Sequence, residues 1–111
     1  MRLAVIGSRS IILKNIEEYI PSGVSEIVSG GAQGIDSSAA EYAKKKGIKL
    51  TVFLPEYSKY GRAAPLIRNE AIAEYANEAL VFWDGASRGT KYTVEAFRKR
   101  GKPCKIIRVE V

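Results

Sequence analysis

SEIVSGGAQGIDSSAAEYAKKKG, residues 25–47, changes its character once, and that change decides the fold. SEIVS is a short apolar strand. Gly30, Gly31 and Gly34 then fall within five residues. From Gly34 or Ile35 to Lys46 the pattern becomes helical, with Ile35, Ala39, Tyr42 and Ala43 on one face at spacings of three and four. Lys44, Lys45 and Lys46 close the helix where cations suit the macrodipole, and Gly47 is its natural C′ residue. A strand that passes through bare glycines into an amphipathic helix is the first half of a βαβ unit.

The same alternation runs outward in both directions. RLAVIG (2–7) is a strand, LKNIEEYI (13–20) a short helix stopped by Pro21, Ser22 and Gly23, and IKLTVFL (48–54) a third strand closed by Pro55. PEYSKYGRAA (55–64) is the longest loop, and Pro65 opens a helix whose inner face is Leu66, Ile67, Ala71, Ile72 and Tyr75. EALVFW (78–83), the loop DGASRG (84–89), the helix TKYTVEAFRKR (90–100) and CKIIRV (104–109) complete the chain. The order β-α-β-α-β-α-β-α-β predicts an α/β protein: a single Rossmann-like three-layer sandwich with a five-stranded parallel sheet. The expected strand order is 3-2-1-4-5, with 2-1-3-4-5 as the alternative.

Composition bounds the rest. With 111 residues, 46% hydrophobic and 27% charged, the chain is one globular domain, 1–111, able to bury a core. No apolar run reaches the ~18–20 residues of a membrane span. RLAVIGSR lacks the layout of a signal peptide, so a cytoplasmic protein without a membrane partner is expected. The chain has no histidine, which excludes His-based triads and most zinc or iron sites. No metal and no obligatory cofactor are expected. Cys104, the single cysteine, reads as a small buried hydrophobe in a strand rather than a catalytic thiol. The net charge of +6 suggests an anionic partner. The clusters Lys44–Lys46 and Arg98, Lys99, Arg100, Lys102 read instead as solvated helix ends.

Ligands of open parallel sheets bind beyond the carboxyl ends of the strands. Gly7–Arg9, SGGAQGID (29–36), Arg68–Glu70 and DGASRGT (84–90) all fall there. Glycines let backbone N–H groups approach an anion, and helix N-termini add unpaired donors and partial positive charge. Such a site suits phosphate, with Arg9 and Arg68 as counter-charges, Ser87 as a hydroxyl, and Asp36 and Asp84 as acceptors for ribose or base. Neither the P-loop nor the dinucleotide fingerprint is present. Trp83 and Phe82 read as core or rim of the fourth strand. Tyr57, Lys59, Tyr60 and Arg62 are a candidate lid, and Glu70, Asp36 and Glu95 are the carboxylates available for any hydrolysis.

VIGSR, IVSGGAQGID, RNEAIAEYA and FWDGASRGTKYTVE together resemble the SLOG superfamily in nearly full-length order. The look is of its small YspA/YpsA-related branch, with DprA and the Lonely Guy phosphoribohydrolases as more distant relatives. The resemblance implies a domain that senses or processes a nucleotide-derived ligand, such as one related to NAD, ADP-ribose or AMP; a homo-oligomer is expected. Its binding positions would be Gly7, Ser8, Arg9, Gly30, Gly31, Gln33, Gly34, Asp36, Arg68, Asn69, Asp84, Ser87, Gly89 and Thr90. Two alternatives come with it: nucleoside-monophosphate hydrolysis of Lonely Guy type, and DprA-like single-stranded DNA binding. The chain departs from both. It lacks the Lonely Guy PGGxGTxxE, with Glu95 five positions after Thr90, and Gln33 replaces the arginine of the DprA-type ARGID.

Overall fold

The computed structural model describes residues 1–8, 11, 13, 15–31 and 34–109. Five strands, β1 (Arg2–Gly7), β2 (Glu26–Ser29), β3 (Lys49–Val52), β4 (Glu78–Trp83) and β5 (Cys104–Arg108), form one sheet of order β3-β2-β1-β4-β5. All four pairings are parallel. The predicted order 3-2-1-4-5 is the observed one. The order reverses at β1, so β1 and β4 meet at the switch point, in register from Leu3 opposite Glu78 to Gly7 opposite Phe82.

The helices are α1 (Ile35–Lys46), α2 (Tyr57–Tyr60), α3 (Ala64–Tyr75) and α4 (Arg88–Lys99). Strand alternation assigns them to faces. Leu3, Val5, Ile27, Leu80 and Phe82 pack on Ile35, Ala39 and Ala43 of α1. Ala4, Val28, Ala79 and Val81 pack on Ile72 and Ala73 of α3 and on Val94, Ala96 and Phe97 of α4. Gly47 ends α1 in the left-handed conformation, φ 67°, with its N–H bonded to the Ala43 and Lys44 carbonyls.

Three local expectations are corrected. The helix expected over 13–20 is only a 3-10 turn, Ile16–Glu18, in which Ile16 alone is buried. One buried anchor on so short a segment does not offset helix nucleation. The loop expected over 55–64 contains α2 and a 3-10 turn, Gly61–Ala63. Leu66 and Ile67, expected on the inner face of α3, are 41% and 38% exposed. Ala64, Asn69, Ile72 and Ala73 face inward instead.

The cationic ends of α4 and its following turn are not simply solvated. Lys102 Nζ donates to the carbonyls of Ala73, Glu74 and Ala76 at 2.7, 2.7 and 2.8 Å, capping the end of α3. Arg100 donates to Glu70 Oε2 at 2.7 Å, tying α4 to α3. At the opposite end of the sheet from the strand carboxyl termini, the buried Glu26 accepts hydrogen bonds from Thr51 Oγ1 and Tyr75 Oη, both at 2.5 Å.

Candidate functional site

A cavity of about 460 Å³ opens at the carboxyl ends of β1, β2 and β4, within the ~300–1,000 Å³ range of small-molecule sites. Gly7, Ser8, Gly30, Asp36, Arg68, Asn69, Asp84, Ser87, Gly89 and Thr90, all expected from the sequence, line it. Gly31 and Gly34 do not line it. Arg9 and Gln33 lie outside the described residues.

The glycines have different tasks. A Cβ on Gly7 would stand 2.4 Å from Ile35 Cγ1, so Gly7 lets the first residue of α1 press against the end of β1. A Cβ on Gly30 would meet Arg68 Nη1 at 2.8 Å and Asp36 Oδ2 at 3.3 Å. A Cβ on Gly31 would meet Leu54 Cδ2 at 2.7 Å and Val52 Cγ1 at 2.9 Å. Gly34, with φ 75°, is the N-cap of α1. At Gly7, Gly30 and Gly31 the space of the missing side chain is filled by protein side chains. Gly89, in the first turn of α4, is the exception: a Cβ there meets nothing within 4 Å.

The loop after β4 is built by its own side chains. Asp84 Oδ1 accepts the N–H groups of Ala86 and Ser87 at 2.8 and 2.9 Å. Those backbone donors hold the Asp84 carboxyl below its ordinary pKa, so it is ionised at neutral pH. Ser87 Oγ accepts from Thr90 N at 3.3 Å and caps α4. Ser8 Oγ accepts from Asp84 N at 3.4 Å, joining the ends of β1 and β4. Trp83 Nε1 donates to the Ser87 carbonyl at 3.1 Å, which makes its indole a brace of this loop. Phe82 is fully buried in the core.

On the other wall Arg68 stands in the second turn of α3, which begins at Ala64. Its Nε donates to Asn69 Oδ1 and its Nη1 to the Gly30 carbonyl, both at 2.8 Å. The described lining therefore carries one guanidinium against two carboxylates, Asp36 and Asp84. Asp36 sits in the first turn of α1, whereas the first turn of α4 holds no acid. Of the two helix N-termini, that of α4 is the better seat for an anion.

Several expected participants lie elsewhere. Glu70 lies at 2.7 Å from Arg100, which holds its carboxyl below the ordinary value, and it does not line the cavity. Glu95 is exposed and also absent from the lining. Of the three carboxylates considered for hydrolysis, only Asp36 reaches the cavity. Tyr57, Lys59, Tyr60 and Arg62 do not line it either; Tyr57 and Tyr60 are 57% and 38% exposed. Cys104 is half-buried, and burial pushes its thiol up, away from thiolate chemistry.

The sequence reading missed Ile6, Pro65, Leu66, Ile72 and Thr93 in the lining. Thr93 carried a signal: three residues after Thr90 on one helix, it shares its face. Ile6 and Ile72 carried none, since an apolar floor and a core residue look alike in sequence. Among the described residues no cluster of His, Cys, Asp or Glu is placed to hold a metal ion, and no helix is long and apolar enough to cross a membrane. No family model, no curated protein and no solved structure matches the chain.

Proposed function

We propose that the protein binds a phosphorylated nucleotide derivative in the cavity at the carboxyl rim of the sheet. The observation that carries this reading is the start of α4: a glycine bordered by open space, in an acid-free first turn, inside a cavity of ligand size. Phosphate sits there, on backbone N–H groups. Arg68 is the counter-charge on the facing wall, and Asp36 accepts from the hydroxyl or amino groups of the sugar or base. Ser8, Asn69 and Thr90, each at most 9% exposed, give the pocket a polar floor. The four SLOG-like segments support the same reading, because three of them supply loops to this cavity and the fourth supplies Arg68 and Asn69.

The test is a thermal-shift panel of AMP, ADP-ribose, NAD, cyclic nucleotides and oligo-dT, with the supernatants assayed for free base. Ligand at about 100 times its dissociation constant adds ~2.7 kcal/mol of stability, several degrees for a domain of this size. The expected result is a shift with one small nucleotide, abolished in Gly89→Val, and no released base. A shift with oligo-dT alone, falling steeply with salt, or an equal shift in Gly89→Val, overturns the reading. Released base would instead assign Asp36 a catalytic role.

A further inference from the structure

We propose that β3 pairs with β3 of a second copy, antiparallel about a two-fold axis at Val52, to give a continuous ten-stranded sheet. The two edges of the sheet are treated differently. β5 carries Lys105 and Arg108, the kind of charge that blunts an edge against pairing. β3 carries one charge, Lys49 at its first residue, while LTVFL over 50–54 carries none, and Leu50, Val52 and Leu54 are 36%, 43% and 64% exposed.

The backbone direction follows from the ladder. Phe53 N–H bonds inward to the Ser29 carbonyl, with Val52 in register with Ser29. By alternation Thr51 also points inward, so the N–H and C=O groups of 50, 52 and 54 point out of the sheet. Pro55 removes no donor from that outward row. Side chains at 50, 52 and 54 share one face, and Val52 and Leu54 both abut the bare Gly31.

This arrangement is self-complementary, as a two-fold interface requires. With Val52 opposite Val52, each Leu50 faces the other copy's Leu54, and the outward backbone groups of all three positions fall opposite one another. The charge pattern agrees. Lys49 precedes the apolar run and Glu56 follows it, so antiparallel pairing brings Lys49 of each copy to the end that carries the other's Glu56. Leu54 also bounds a small hollow with Tyr60 and Ile67.

Sedimentation velocity over a range of protein concentrations tests the pairing. The wild-type chain is expected at twice its 12.2 kDa mass, and Val52→Lys, which sets two like charges on the axis, as a folded monomer by circular dichroism. The register is tested in a Cys104→Ser background under a mild oxidant. Val52→Cys is expected to cross-link, because Cα atoms of a hydrogen-bonded antiparallel pair lie ~5.5 Å apart, within disulfide reach. Leu50→Cys is expected not to, its own copy being four residues away, ~13 Å along the strand. A wild-type monomer, or a dimer that survives Val52→Lys without cross-linking through Cys at 52, overturns the proposal.

Discussion

Arg68 Nη1 donates to the carbonyl of Gly30 at 2.8 Å, joining two residues 38 positions apart. The bond locks the loop after β2 against α3 and explains why position 30 carries no side chain: a Cβ there would stand 2.8 Å from that same nitrogen. The guanidinium thus has two roles, holding the wall of the cavity and supplying its cation.

Arg68→Leu is therefore expected to lower both stability and affinity. Loss of a charge-assisted hydrogen bond costs about 1.5–3 kcal/mol, several degrees in thermal midpoint. Affinity for the proposed nucleotide ligand, read by titration calorimetry, falls by about tenfold or more. Arg68→Lys does not restore either, since an ammonium lacks the fork that reaches Asn69 and Gly30 together. A wild-type midpoint in Arg68→Leu would show that the loop is held by other contacts.

Gly7 and Gly89 are expected to respond oppositely to alanine. Gly7→Ala forces a methyl into Ile35, and overpacking of this kind costs about 1–3 kcal/mol. The double variant Gly7→Ala with Ile35→Ala is expected to lose less than the sum of the single losses, a coupling that urea denaturation reads. Gly89→Ala points into open space and gains about 0.4–1 kcal/mol of stability, while weakening binding of the proposed nucleotide. A stabilised variant with undiminished binding would move the phosphate away from α4.

The buried Glu26 makes stability fall in acid. Hydrogen bonds from Thr51 and then Tyr75 hold its carboxyl below the ordinary value of 4.5. The folded state takes up this proton less readily than the unfolded chain. The stabilisation is complete above the unfolded pKa and is lost as pH falls through the lower folded value. Glu26→Gln is expected to be less stable than wild type at neutral pH, and the two denaturation midpoints converge on acidification. Parallel curves would contradict this.

Lys102 caps α3 through three carbonyls. Lys102→Met keeps the stem and removes the cap, leaving the last carbonyls of α3 without it. The expected cost is about 1.5–3 kcal/mol, seen as a lower thermal midpoint and faster amide exchange near Tyr75. Arg98→Met, at an exposed position, is the control and changes neither.

Much of the fold was legible in local pattern. RLAVIG and EALVFW are β1 and β4 residue for residue, because each is an apolar run between polar or turn-forming neighbours. Gly47 and the lysines before it marked the end of α1 for reasons internal to that helix. Leu66 and Ile67 misled the reading of α3, since helical spacing alone does not say which of two apolar stripes meets the sheet. α3 buries its smaller side chains, Ala64 and Ala73, with Ile72, and leaves Leu66 partly exposed on the cavity and Ile67 beside Leu54 and Tyr60.

The sequence by itself determined the alternation of strands and helices, the parallel sheet it entails, and the rim on which the glycine-rich loops gather. These follow from periodicity and turn chemistry, which act over a few residues. Only the tertiary structure decided which glycine faces open space, that Glu70 is tied to Arg100 while Asp36 reaches the cavity, and that Lys102 caps a helix 26 to 29 residues earlier in the chain. The physical reason is the same in each case. Those relationships are contacts between elements that meet only when helices cross the sheet, and no local spacing encodes how side chains from two such elements divide the space between them.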